Sequence, residues 1–218
     1  MKRKKSEAPR LLTEREQKRT ARVEALLAEL ERQGYHRKDL VVDIRKAYVG
    51  AILWVVPFAV LFIGLYNLLG CRPYAELDGL LGLTAFILLS FALIFVHEAL
   101  HGVTFAAFAP HRFRNIEFGV IWKYMTPYCT CLEPLHRFGY FLALLMPFLV
   151  LGLLPCVISL FTGSIVCMII GLLMISGAGG DLTILAKLLS FPTKGKEVLY
   201  VDHPTECGSI VMVRDKQA

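Results

Sequence analysis

The residues best suited to chemistry in this sequence are His97-Glu98-Ala99-Leu100-His101. On a helix, positions i and i+4 lie one turn apart, so both imidazoles can reach one metal ion. The intervening carboxylate can hold and deprotonate a water at that ion. This is the pattern of zinc-dependent hydrolysis. The motif lies in an apolar stretch, where an ionisable residue costs about 3 kcal/mol or more and marks a functional site by default.

A hydrolytic zinc site needs a third protein ligand and one open position. Asp181 is the expected source, on depth. Counted from Leu80 and from Ser164, His97 and Asp181 each lie 17 residues into their apolar segments, about 25 Å along a helix. If the two segments run parallel, both residues stand at one level. Ser176-Gly177-Ala178-Gly179-Gly180 precedes Asp181; such small residues permit close helix approach and a local break. The competitors are Glu117, Glu133, His111, His136 and His203, in segments that could fold back. Asp78 reads as a turn residue on the far side. Thr104 stands where the longer metzincin motif requires glycine. Cys129 and Cys131, with His136, His203 and Cys207, offer a weaker second metal site. Asp202-His203 is either an orienting pair or a strand-end turn.

The elements that must position these residues are apolar. The chain has 218 residues, 56% of them hydrophobic, too many for a soluble domain of this size. Four apolar blocks, 48–69, 80–109, 139–161 and 164–189, each suffice to cross a hydrocarbon core of about 30 Å. The expected class is an all-α membrane protein of four transmembrane helices, with a small cytoplasmic β-hairpin loop and a cytoplasmic tail. The polar residues 1–46 ahead of the first block do not fit a cleaved secretory signal. Three segments, 1–46, 110–138 and Lys187 onward, hold 23 of the 24 Lys and Arg, leaving Arg72. The positive-inside rule then puts both termini in the cytoplasm of a multi-pass cell-membrane protein. The same rule accounts for the net charge of +6 without nucleic acid. The six cysteines read as small apolar side chains rather than a disulfide framework.

Three regions follow: 1–46, a basic tail and amphipathic helix; 47–191, the four-helix domain; and 192–218, the C-terminal tail. Thr13 and Glu16 form a capping box, Gly34 is a stop, and Val23, Leu26, Leu27 and Leu30 recur at helical spacing. That helix rests either on anionic lipid through its basic face or on the cytoplasmic loops. The runs 115–122 and 128–132 suggest the hairpin. Val198–Val201 and Ser209–Val213 read as strands.

Phe95 to Gly102, with the motif at its centre, resembles the signature of the putative zincin peptidase family. Gly34-Tyr35, Gly180-Asp181 and Asp202-His203-Pro204-Thr205 with Gly208 also resemble that family's pattern, so the likeness runs from Gly34 to Val213. The arrangement is similar to site-2 proteases, although Asp181 lacks their Asn-Pro companion and is followed by Leu182. The resemblance implies a metallopeptidase. The expectation is therefore a membrane-embedded zinc (Zn2+) peptidase in which His97, His101 and Asp181 bind the metal and Glu98 is the catalytic base. It would cleave a membrane protein or peptide substrate near the cytoplasmic face of the lipid bilayer. The alternative is a non-catalytic membrane metal-binding or adaptor protein that retains the motif.

Overall fold

A computed structural model describes residues 12–71, 79–122 and 126–216. Asp78 and Arg72 lie outside the described residues. The first helix, α1 (Glu14–Arg32), starts at the expected capping box. Thr13 Oγ1 accepts from the Glu16 N–H at 3.3 Å, and Glu16 Oε2 accepts from the Thr13 N–H at 2.8 Å. After Gly34 (φ 87°) the chain forms β1 (His36–Val41) and enters the long apolar helix α2 (Ile44–Leu68). Helix α3 (Gly79–Phe108) follows, then the hairpin β2 (Ile116–Ile121) and β3 (Thr126–Cys131), and the short β4 (Leu135–His136).

Next come α4 (Arg137–Pro147), a π-helical turn (Phe148–Leu153) and α5 (Leu154–Thr162), which make one long apolar rod. Pro147 and Pro155 flank that turn, and each lacks the N–H a regular helix would bond. Helices α6 (Ile165–Gly177) and α7 (Gly179–Leu189) form the last apolar segment, bent by 50° at Ala178. The chain closes with β5 (Lys196–Asp202) and β6 (Gly208–Asp215). Among the described residues, three helices are long and apolar enough to cross a membrane, and the bent pair makes a fourth if it counts as one span.

The described residues are mostly helical, with two small antiparallel sheets, one more than the expected hairpin. One is the anticipated hairpin, β2 with β3. The other has four strands in the order β1-β6-β5-β4. It draws β1 from ahead of the apolar helices, pairing His36 with Val213 and Val41 with Gly208. Strand β1 carries no apolar alternation because it is an edge strand with no buried residue, and edge strands are often charged. Gly208 permits the pairing: with φ at 143°, a Cβ there would lie 2.5 Å from the Leu40 carbonyl oxygen.

Val23, Leu27 and Leu30 of α1 pack on Leu199, Val201, Ile210 and Met212 of this sheet. Truncating Leu27, which is 1% exposed, costs about 2–5 kcal/mol. The basic face of α1 covers the hairpin. Arg15 donates to the Phe118 carbonyl at 3.0 Å, Arg19 to the Tyr128 hydroxyl at 2.8 Å, and Arg22 to Asn115 Oδ1 at 2.5 Å. The hairpin lies between two helices, with Tyr128 and Glu117 facing α1 and Phe118 facing Gly102 of α3.

Candidate metal centre

Helix α3 carries His97 and His101 on one face, as the i, i+4 spacing requires. Both are buried, at 8% and 5% exposure. The bend at Ala178 puts Asp181 in the first turn of α7. Helix α2 holds that turn in place at close range. A Cβ on Gly179 would lie 2.3 Å from Ala51 Cα, and one on Gly50 would lie 2.5 Å from Thr183 Oγ1. Trp54 Nε1 donates to Thr183 Oγ1 at 3.1 Å. Small residues thus bring the two helix backbones together and fix the height of Asp181.

The three predicted ligands converge. His97 Nε2 lies 3.2 Å from Asp181 Oδ2, His101 Nε2 lies 3.4 Å from the same oxygen, and the two Nε2 atoms are 3.2 Å apart. A tetrahedral zinc with bonds of about 2.0–2.1 Å sets its ligand atoms about 3.3–3.4 Å apart. The observed triangle is one face of such a tetrahedron. His101 Nδ1–H donates to the Ala143 carbonyl on α4 at 2.8 Å, which leaves the lone pair of a neutral ring on Nε2. Metal-binding imidazoles are typically anchored this way through their other nitrogen. Among the described residues no fourth His, Cys, Asp or Glu joins the group. The donor set, two imidazoles and one carboxylate, fits zinc.

Glu98 is partly exposed beside the histidines, and the Cys129 backbone N–H faces its carboxylate. The β2–β3 register explains that contact. Arg15 takes the Phe118 carbonyl on the outer side of β2, so Phe118 and its partner Cys129 form a non-hydrogen-bonded pair whose polar backbone groups point away from each other. By the same alternation Pro127 sits where its missing N–H would face outward, as edge prolines do. The outer edge of β3 therefore runs past Glu98.

The other candidates have structural employment. Glu133 accepts from the His111 N–H at 3.1 Å, from His111 Nδ1–H at 2.5 Å and from Asn115 Nδ2 at 2.5 Å. Burial pushes its carboxyl upward, but these donors outweigh burial and hold it below the ordinary carboxylate value. Glu117 pairs with Arg15 and Arg22. His136 precedes α4. His203 Nδ1 accepts from the Thr205 and Glu206 N–H groups at 3.3 and 3.0 Å, closing its own turn.

Cys129, Cys131 and Cys207 are free thiols. Burial pushes Cys131 up to about 12 and Cys207 up to about 11, so neither is a ready thiolate. Two contacts had no signal in the sequence, the Ala143 carbonyl and the Cys129 amide, because both are backbone groups.

Residues 90–195 match the family described as Putative zincin peptidase. The zincin match contains His97, Glu98, His101 and Asp181, and it also takes in the β2–β3 hairpin. Gly34-Tyr35 and Asp202-His203-Pro204 lie outside the stretch matched to that zincin family. No curated protein and no solved structure matches the chain significantly.

Proposed function

We propose that this chain is a membrane-embedded zinc metallopeptidase that hydrolyses peptide bonds near the cytoplasmic face. The observation that supports it is the triangle of His97 Nε2, His101 Nε2 and Asp181 Oδ2, with edges of 3.2–3.4 Å, set beside the Glu98 carboxylate. Those three atoms would hold the metal. Zinc bound by such a set makes water nucleophilic near neutral pH and polarises a carbonyl.

Glu98 serves as the general base. Its carboxylate takes the proton from the attacking water and returns it to the amine nitrogen as the peptide C–N bond breaks. The Ala143 carbonyl keeps the His101 proton on Nδ1 and the lone pair on Nε2 throughout. The outer edge of β3, with the backbone carbonyls of Pro127 and Cys129, orients an extended substrate by strand pairing. The four apolar segments seat the centre in the bilayer, and the positive-inside bias puts its mouth at the cytoplasmic face.

Glu98→Gln tests the reading, because Glu98 is a base and not a ligand. The variant is expected to bind zinc like the parent and to lose at least about 100-fold in cleavage of a membrane-peptide library. Full activity in Glu98→Gln would sink the peptidase. A zinc-loaded parent that cleaves nothing in the library would instead favour the metal-binding or adaptor reading.

A further inference from the structure

The four-stranded sheet ends on a carboxylate that the proposed chemistry does not use. Asp202 is the last residue of β5. Its Oδ2 accepts the Cys131 backbone N–H at 2.7 Å, and its Oδ1 accepts the Tyr140 hydroxyl. The Tyr140 oxygen also lies 2.6 Å from Ser209 Oγ on β6. Tyr140 is 1% exposed and Ser209 is fully buried. A buried hydroxyl and amide left without acceptors would each cost about 1–3 kcal/mol, so this carboxylate fixes where both donors stand.

Each donor belongs to an element that holds part of the metal centre. Tyr140 lies in the first turn of α4, three residues before Ala143, and residues so spaced share a helix face. The Ala143 carbonyl is the one that receives His101 Nδ1–H. The Tyr140 ring also lies 5.8 Å from Phe105, whose ring stacks on His101 at 6.3 Å and 24°. On the other arm, Cys131 is two residues from Cys129, so their N–H groups leave the same edge of β3. Pinning Cys131 thereby places the Cys129 N–H that faces Glu98.

We infer that Asp202 is a positioning residue that holds the metal ligand His101, through Tyr140 and α4, and the base Glu98, through β3, in register with each other. The Glu98 arm rests on the peptidase reading. The His101 arm needs only that the triangle binds a metal.

Zinc titration of full-length protein in detergent, paired with cleavage assays at saturating zinc, separates the arms. Asp202→Asn keeps the shape but presents one acceptor oxygen to two donors. It is expected to weaken zinc binding about tenfold, as loss of an outer-shell partner does. It should also lower kcat about tenfold or more by misplacing the base, with KM unchanged. Tyr140→Phe removes only the α4 arm, so its zinc affinity should fall about tenfold, with a smaller loss of kcat at saturating zinc than in Asp202→Asn. Ser209→Ala removes the other partner of Tyr140 but neither bond to Asp202. It should keep zinc affinity and kcat within about twofold of the parent even where thermal stability drops.

Parental zinc affinity in Asp202→Asn would overturn the inference. So would losses in Ser209→Ala equal to those in Asp202→Asn, since any disturbance of the sheet would then suffice. If the parent cleaves no peptide, the peptidase reading fails, and the ranking of zinc affinities still decides the His101 arm.

Discussion

The close contact between α2 and α7 gives a sharp test of how Asp181 is held. Gly179 touches no metal ligand, but it opens the helix on which Asp181 sits two residues later. A Cβ there would stand 2.3 Å from Ala51 Cα and 2.9 Å from the Ala51 nitrogen, where ordinary contact begins near 3.4 Å. Both are backbone atoms and cannot rotate away. In Gly179→Ala, α7 must therefore retreat from α2 by about 1.1 Å, the difference between 3.4 and 2.3 Å. Metal–ligand bonds hold to within about 0.2 Å, so a displacement of that size opens the two edges that end on Asp181 Oδ2. Zinc affinity should fall about 10–100-fold, the range seen when a ligand is misplaced rather than removed.

Gly180→Ala is the control, because a Cβ there meets nothing within 4 Å. It should bind zinc like the parent and gain about 0.5–1 kcal/mol from the better helix former. Competition with a chromophoric chelator reads both affinities on purified protein. Equal zinc affinity in Gly179→Ala and Gly180→Ala would refute the argument that α2 sets the height of Asp181.

Asp181→Ala should lower zinc affinity by at least about tenfold, with Asp181→Asn also impaired, as the same titration measures; unchanged binding would remove Asp181 from the ligand set. Glu133 carries a pH signature. Its carboxyl lies below the ordinary 4.5 in the folded protein, so its stabilising effect is complete above that value and is lost as pH falls through the lower folded one. Thermal unfolding should therefore show Glu133→Gln less stable than the parent at pH 7, by about 1–3 kcal/mol, with the gap closing in acid; a gap that does not narrow as pH falls would contradict this. For topology, a cysteine replacing Phe161, 86% exposed at the C-terminal end of α5, should react with an impermeant maleimide on intact cells in a Cys71→Ser background. A cysteine replacing the exposed Glu29 should not, and labelling at Glu29 would reverse the assigned orientation.

The cluster of His97, His101 and Asp181 was legible because its parts obey simple spacing. Two histidines at i and i+4 share a helix face whatever surrounds them, and a lone aspartate after a run of glycines stands out in an apolar segment. The hairpin was visible through Thr126-Pro127 and its flanking runs. Strand β1 was not, because His36, Arg37, Lys38 and Asp39 form a polar edge whose partner lies far along the chain. The role of Arg15, Arg19 and Arg22 was half legible. Their common face showed at helical spacing, but lipid and protein surfaces attract arginines alike, and only the fold supplies Tyr128, Phe118 and Asn115 as partners. The Ala143 carbonyl and the Cys129 amide left no trace in residue type, since every residue carries such groups.

The pairing of β1 with β6 has a consequence for biosynthesis. β1 emerges from the ribosome before any of the apolar helices, and β6 emerges after all of them. At synthesis rates of about 5–20 residues per second, β1 and α1 wait many seconds, with the apolar side of α1 uncovered, while the helices between are made. The sheet that carries Asp202 and Ser209 closes only when β6 arrives, so a segment made after all of the apolar helices completes the surroundings of His101 and Glu98. A nascent chain would thus contain His97, His101 and Asp181 well before they are aligned.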